Sequence, residues 1–321
     1  MTATSSRSRV LLPWIISFLW LHSSLCLAPA ANNKSHPGTG HPTRLFVKNN
    51  SNTGDSSLGK ILVLGGTGFL GQAVCKRALA EGFQVTSLSR RGLPPPSYDE
   101  GRTLLSTTFD IDFRQGDVRN KASISNILSE GGYTGIVHCI GLLLDEDSGL
   151  SLLNQFVSGS RSIPDADSTY DTITRLTAFN AIEMATEYAL SNNLNDFAFC
   201  FTSAAEAGWP DVPGGVLVEG ILPDFMKRYL VAKRAVEAKI NEAAPTIRPI
   251  IVRPSLIYSM DRPESFFSVS AFFAGNTIGL PFIDKPVTVQ ALASTMVKAL
   301  KDKNLSGVLR YPDIERMGGS S

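Results

Sequence analysis

The chain has 321 residues, 43% hydrophobic and 18% charged, with four cysteines, four histidines and a formal net charge of +1. That composition excludes collagen-like, disulfide-scaffold and fully disordered classes and is ordinary for a globular protein. The near-neutral sum hides a split: five basic residues precede the first acid, Asp55, which leaves 25 Lys and Arg against 29 Asp and Glu in a body of about −4 behind a leader of +5. A mildly acidic body argues against nucleic acid as a partner, because such binding rests on neutralising phosphates with Lys and Arg.

Residues 1–57 read as a targeting presequence. Two arginines among Ser and Thr precede Val10–Leu21, an uncharged apolar run. At about 1.5 Å per residue the run falls short of the roughly twenty residues that a hydrocarbon core requires. Pro13 also interrupts it, so a signal-type core with a small-residue cleavage region at Ser24–Ala30 is expected rather than an anchor. Ala31–Ser57 is rich in Asn, Ser, Thr, Gly and His, which makes 27–57 transit-like and the whole similar to a two-part plastid presequence. Mitochondrial import and plain secretion are the competing readings. Cys26 belongs to the leader, whereas Cys75, Cys139 and Cys200 lie in apolar segments at no metal or disulfide spacing, the pattern of reduced core thiols in an organelle. No membrane span is expected in the mature protein and no metal site is legible.

From residue 58 the chain reads as one domain. The apolar run Lys60–Leu64 ends in glycines, as a buried parallel strand does. A helix over 69–81, strands over 83–89 and 109–115, a helix over 121–129 and a strand over 135–140 follow. The polar stretch 141–169 reads as a surface loop. Then come a helix over 170–191, a strand over 196–203, a helix over 223–243, a strand over 248–258 and a helix over 287–301. This alternation predicts an α/β fold with a doubly wound parallel sheet. Phe266, Phe267, Phe272, Phe273 and Phe282 crowd a stretch punctuated by Gly and Pro, expected to form a small C-terminal substrate subdomain from about residue 259.

Gly65-Gly66-Thr67-Gly68-Phe69-Leu70-Gly71 lies between the first strand and the first helix. Dinucleotide binding requires this arrangement: a tight turn, backbone open to a pyrophosphate, and close packing of helix on sheet. The phosphates then rest on N–H groups at the positive end of the helix. An NAD site places an acid about twenty residues on, at the end of the second strand. Here that strand ends in Ser89-Arg90-Arg91 with no acid, which favours the 2′-phosphate of NADP over NAD. Asp117, in Gly116-Asp117-Val118 after the third strand, is placed to touch adenine or to cap a helix.

Tyr229 and Lys233 lie four apart in a predicted helix and so share one face. A neighbouring ammonium is expected to favour the phenolate, and beside a nicotinamide such a pair exchanges a proton with a carbonyl oxygen while hydride moves at its carbon. Ser203, at the end of the preceding strand, is the expected hydrogen-bond donor to the same oxygen.

Together with Val252-Arg253-Pro254-Ser255-Leu256-Ile257-Tyr258 and Lys285-Pro286-Val287-Thr288-Val289-Gln290, these motifs resemble an extended or atypical short-chain dehydrogenase/reductase with a Rossmann fold. The branch is similar to the accessory Rossmann subunit of respiratory complex I, to mitochondrial proteins associated with ubiquinone biosynthesis, and to Rossmann proteins of chloroplast lipid globules. The resemblance covers about residues 58–312. It implies that Gly65, Gly68 and Gly71, with Thr67, Phe69 and Leu70, hold pyrophosphate. It places Ser89, Arg90 and Arg91 at the 2′-phosphate, Asp117 and Val118 at adenine, and Tyr229, Lys233 and Ser203 at the reaction centre. The strand end lacks the paired serines of many active members, and Asn180 is only the nearest match to the helix asparagine of classical enzymes. The reading is therefore an NADP-dependent oxidoreductase acting on an apolar carbonyl or alcohol, quinone- or lipid-related. Its alternative is a non-catalytic NADP(H)-binding accessory or assembly protein in a complex or at a lipid surface.

Overall fold

The computed structural model describes residues 58–93, 111–148, 167–259 and 284–319. The expected presequence, the phenylalanine cluster and residues 149–166 of the expected loop lie outside the described residues. Seven parallel strands form the main sheet: β1 (Lys60–Leu64), β2 (Gln84–Ser89), β3 (Ile111–Gln115), β4 (Tyr133–His138), β5 (Phe197–Thr202), β6 (Ile247–Val252) and β9 (Gly307–Leu309). Their order is β3-β2-β1-β4-β5-β6-β9, the doubly wound arrangement in which the order reverses between β1 and β4 and a crevice opens at the strand ends.

Helices cover both faces. On one side α1 (Phe69–Ala80), α6 (Val289–Lys301) and α7 (Tyr311–Gly318) enclose a core that includes Val74, Leu292, Met296 and Ile314. On the other, α2 (Lys121–Leu128), α3 (Thr177–Ser191) and α5 (Asp224–Glu242) pack Ile124, Ile182, Val236 and Ile240 against Phe197, Phe199 and Phe201 of β5. With both faces buried, the strands read as continuous apolar runs rather than alternating ones. The caps are local: the Asn120 side chain accepts from Ala122 N–H at the start of α2, and Thr288 accepts from Ala291 N–H at the start of α6.

Three elements depart from the sequence expectation. The helix over 170–191 is divided: Tyr170–Leu176 is π-helical, capped by Thr169, and only Thr177–Ser191 is α-helical. The strand over 248–258 breaks after Val252, because Pro254 lacks an N–H to continue the ladder. Ile257–Tyr258 (β7) then pairs with Val287–Thr288 (β8) as a separate ribbon. The described start of the 141–169 stretch is not surface loop, since Leu144 and Asp145 are buried. Asp145 pairs with Arg228 at 3.1 Å, and Leu143 O accepts from the Tyr170 hydroxyl at 2.7 Å. A short helix α4 (Gly215–Gly220), strand β9 and helix α7 were not legible as elements. Among the described residues no helix is long and apolar enough to cross a membrane.

Candidate functional site

The glycine turn sits where the strand order reverses. Gly65 follows β1 at φ +80, a left-handed conformation that favours glycine. Gly71 permits the close approach of α1: a Cβ there would lie 2.1 Å from the Gly65 carbonyl oxygen. The turn is tied down by Gly65 N–H to Leu88 O and Gly68 N–H to Gly65 O, each at 2.9 Å, while Gln72 Nε2 donates to Thr67 O at 2.9 Å. No side chain caps the start of α1 and its first turn holds no acid, so the N-terminal dipole faces the crevice without an internal anion. This cradle suits a pyrophosphate. Leu70 turns its side chain into the core and Phe69 packs against its edge, so both offer the turn backbone only.

At the end of β2, Ser89 accepts from Gly92 N–H at 3.1 Å, while Arg90 and Arg91 are exposed. Asp117 is engaged locally, accepting from the backbone N–H of Arg119 at 2.9 Å and from its guanidinium at 2.7 Å. Those bonds to Arg119, together with the charge of Arg90, hold the Asp117 carboxyl below its ordinary value. Val118 is a core side chain whose carbonyl accepts from the Asn180 amide at 3.0 Å; Arg119 O accepts from the same amide at 2.8 Å. Asn180 thus fastens the turn after β3.

Leu230, Lys233, Val236, Glu237 and Ile240 form the buried stripe of α5. Two charged residues on an apolar face are a departure from amphipathic design that needs a local explanation. Lys233 Nζ donates to Thr202 O at 2.7 Å and stands 4.8 Å from the Phe201 ring centroid and 5.5 Å from that of Tyr229. Burial lowers its pKa to about 8. Tyr229 is half-buried and packs edge-on against Tyr170, ring centroids 5.6 Å apart. The expectation of a depressed phenol is corrected here. Burial, with Glu206 and Tyr170 adding to it, raises the Tyr229 pKa and keeps the phenol protonated.

Ser203 has a different partner from the expected one. It is buried and donates to Glu237 Oε1 at 2.5 Å. The same carboxylate receives Arg253 Nε at 3.0 Å and Nη2 at 2.6 Å, a bidentate buried ion pair. One turn of α5 beyond Lys233, the Glu237 carboxylate ties α5 to the ends of β5 and β6 through Ser203 and Arg253. Sequence reasoning did not single out Glu237, although its position four residues after Lys233 on the apolar stripe was the available signal. Glu206, also not singled out, lies on the turn after β5, where burial raises its pKa to about 7.

A seven-stranded parallel sheet of this order, with a glycine turn at its reversal point, defines a Rossmann-type nucleotide-binding fold. The chain belongs to the NAD dependent epimerase/dehydratase family, which it matches over residues 61–274. Similar proteins include MIOREX complex component 2 of Saccharomyces cerevisiae, 24% identical over 289 residues, covering 79% of this chain and 98% of that protein. An uncharacterized chloroplastic protein of Arabidopsis thaliana is 24% identical over 279 residues, covering 80% and 76%. Among solved structures, Pal from Bacillus thuringiensis aligns with a TM-score of 0.53 at 20% identity, over 78% of this chain and 77% of that one. ElxO with NADP bound aligns at 0.52 and 17%, over 78% and 96%. At these identities the structures speak for the fold.

Proposed function

We propose that the protein is an NADP(H)-dependent oxidoreductase of short-chain dehydrogenase type that acts on an apolar carbonyl or alcohol of quinone or lipid character. The observation that carries this reading is the Tyr229–Lys233 pair, one turn apart on the buried face of α5, with Lys233 Nζ anchored on Thr202 O at 2.7 Å. A bound nicotinamide supplies or accepts the hydride. In this reading the backbone of Gly65 to Gly71 holds the pyrophosphate, and Arg90 and Arg91 hold the 2′-phosphate. Asp117 and Val118 flank adenine. Lys233 positions the nicotinamide ribose and Tyr229. In this reading the Tyr229 phenol, which burial keeps protonated, is the group that exchanges a proton with the substrate oxygen. ElxO, of the same fold, binds NADP.

Two observations favour a second reading, a non-catalytic NADP(H)-binding accessory protein. One relative is a complex component, and Ser203 engages Glu237 rather than the tyrosine–lysine pair. An organelle address, plastid ahead of mitochondrion, fits residues 1–57 and the relative described as chloroplastic. The deciding experiment assays the protein and its Tyr229→Phe variant with NADPH and a panel of short-chain quinones and apolar aldehydes. Retained NADPH affinity with turnover lowered about a hundredfold or more supports the oxidoreductase. NADPH binding without turnover on any probe supports the accessory protein, and absence of NADPH binding removes both.

A further inference from the structure

Tyr229 is held by residues that no step of the proposed reaction uses. Arg228, its neighbour on α5, donates from Nη2 to the two Asp145 carboxylate oxygens at 3.1 and 3.4 Å. The Asp145 side chain is 2% exposed and that of Arg228 43%, so the carboxylate lies inside and its counter-charge reaches it from the surface. A carboxylate is costly to bury unless a charged partner meets it there. The pair therefore commits residue 145 to one place against α5.

Asp145 belongs to the segment that leaves β4 after His138. Ser148 N–H donates back to Asp145 O at 3.1 Å, and Glu146 N–H donates to Ser168 O at 3.2 Å, just ahead of the π-helical segment. Leu143 O accepts from the Tyr170 hydroxyl at 2.7 Å. Tyr170 is buried, and burial, with the Asp145 charge adding to it, raises its pKa, so the hydroxyl keeps its proton and acts as the donor.

The Tyr170 ring stands edge-on to that of Tyr229, with an interplanar angle of 63° and centroids 5.6 Å apart. Aromatic pairs at this separation and tilt attract beyond the area they bury. Tyr170 opens the π-helical segment, a kind of turn that recurs at functional sites. The contacts close a ring. It runs from Tyr229 along the backbone to Arg228, across the ion pair to Asp145 and back along the chain to Leu143. The hydrogen bond to Tyr170 and the two stacked rings then return it to Tyr229. Three elements are joined in this way: α5, the segment after β4 and the π-helical segment.

We propose that Asp145, Arg228 and Tyr170 are positioning residues that hold the Tyr229 ring in its working orientation, with residues 143–145 as the strap between them. The role rests on the reading of Tyr229 and Lys233 as the reaction centre. Lys233 meets the phenol from its own helix, Nζ lying 5.5 Å from the ring centroid, and the strap adds restraint from two other elements. Orientation carries weight because a misplacement of about 1 Å at a reacting group costs on the order of a hundredfold in rate.

The test uses Tyr170→Phe, which keeps the ring and gives up the donor, and Asp145→Ala, which leaves no buried charge behind because Arg228 reaches water. It begins on the cofactor-free full chain carrying isotopically labelled tyrosine, so that its failure is separable from failure of the oxidoreductase reading. The Tyr229 ring, assigned through Tyr229→Phe, is expected to give one sharp set of NMR signals in the wild type and broadened or doubled signals in each variant. Signals that stay single and sharp in both variants overturn the proposal, whether or not the wild type turns over any probe. With NADPH and a short-chain quinone, each variant is expected to lower kcat several-fold at unchanged KM for NADPH. A ring of contacts opens at any break, so the double variant is expected to fall no further than the slower single one. Losses that multiply, or a KM that rises with kcat unchanged, overturn it.

Discussion

On the proposed NADP reading, cofactor choice turns on Arg90 and Arg91. A guanidinium binds a phosphate through charge-assisted, bidentate bonds that a ribose hydroxyl does not replace. Replacing both with alanine removes about 1.5–3 kcal/mol of such bonding, which is roughly ten- to a hundredfold in affinity. Calorimetric titration is expected to show that loss for NADPH and no change for NADH; equal losses for both cofactors count against a 2′-phosphate site. Glu206 makes a pH prediction. Its pKa rises from the ordinary 4.5 to about 7 on folding, so between those values the native state binds more protons than the unfolded chain, and its contribution to stability is lost as pH rises through 7. Glu206→Gln, which cannot ionise, is expected to melt higher than the wild type above pH 7 and alike below 4.5. Parallel melting curves across that window would contradict a buried, shifted carboxyl.

At the scale of elements, β5, α5 and β6 are joined by polar contacts inside an otherwise apolar layer. Glu237 and Arg253 are 8% and 10% exposed in their side chains, and a buried pair broken on one side leaves an uncompensated charge costing about 3–5 kcal/mol. Glu237→Ala is therefore expected to lower unfolding free energy by that amount in denaturant titration. Lys60→Ala breaks a more exposed pair with Glu130 at 3.3 Å and is expected to cost about 1 kcal/mol or less. Similar costs for the two would mean that the buried pair does not hold α5 to the end of β6. The same contacts hold the Ser203 hydroxyl on Glu237 while its neighbour Thr202 presents a carbonyl to Lys233.

At the scale of the molecule, a ligand that binds only the native state stabilises it by about 2.7 kcal/mol at a hundredfold excess over Kd. For a domain of this size that raises Tm by roughly 5–10 °C. NADPH is expected to produce this shift equally in the full chain and in residues 58–321 alone, as measured by scanning calorimetry. A shift lost on removing residues 1–57 would show that those residues belong to the fold.

The parallel strand succession, the dinucleotide turn and the shared face of Tyr229 and Lys233 were legible in the sequence because each is written in short spacings. Apolar runs of five, glycines three apart, and a tyrosine four residues from a lysine constrain only neighbouring backbone. The expectation of one strand over 248–258 overlooked Pro254, a signal of the same local kind, while the partner of β7 had no such signal. The acceptor of the Ser203 hydroxyl, the upward shift of Tyr229 and the pairing of His138 with Thr177 were decided by tertiary structure alone. Ser203 meets a carboxylate 34 residues away and His138 a hydroxyl 39 residues away, distances over which sequence pattern carries no register. At Tyr229 burial, with Glu206 and Tyr170 adding to it, sets the direction of the shift, because the cost of ionising a group depends on how far the packed chain excludes water.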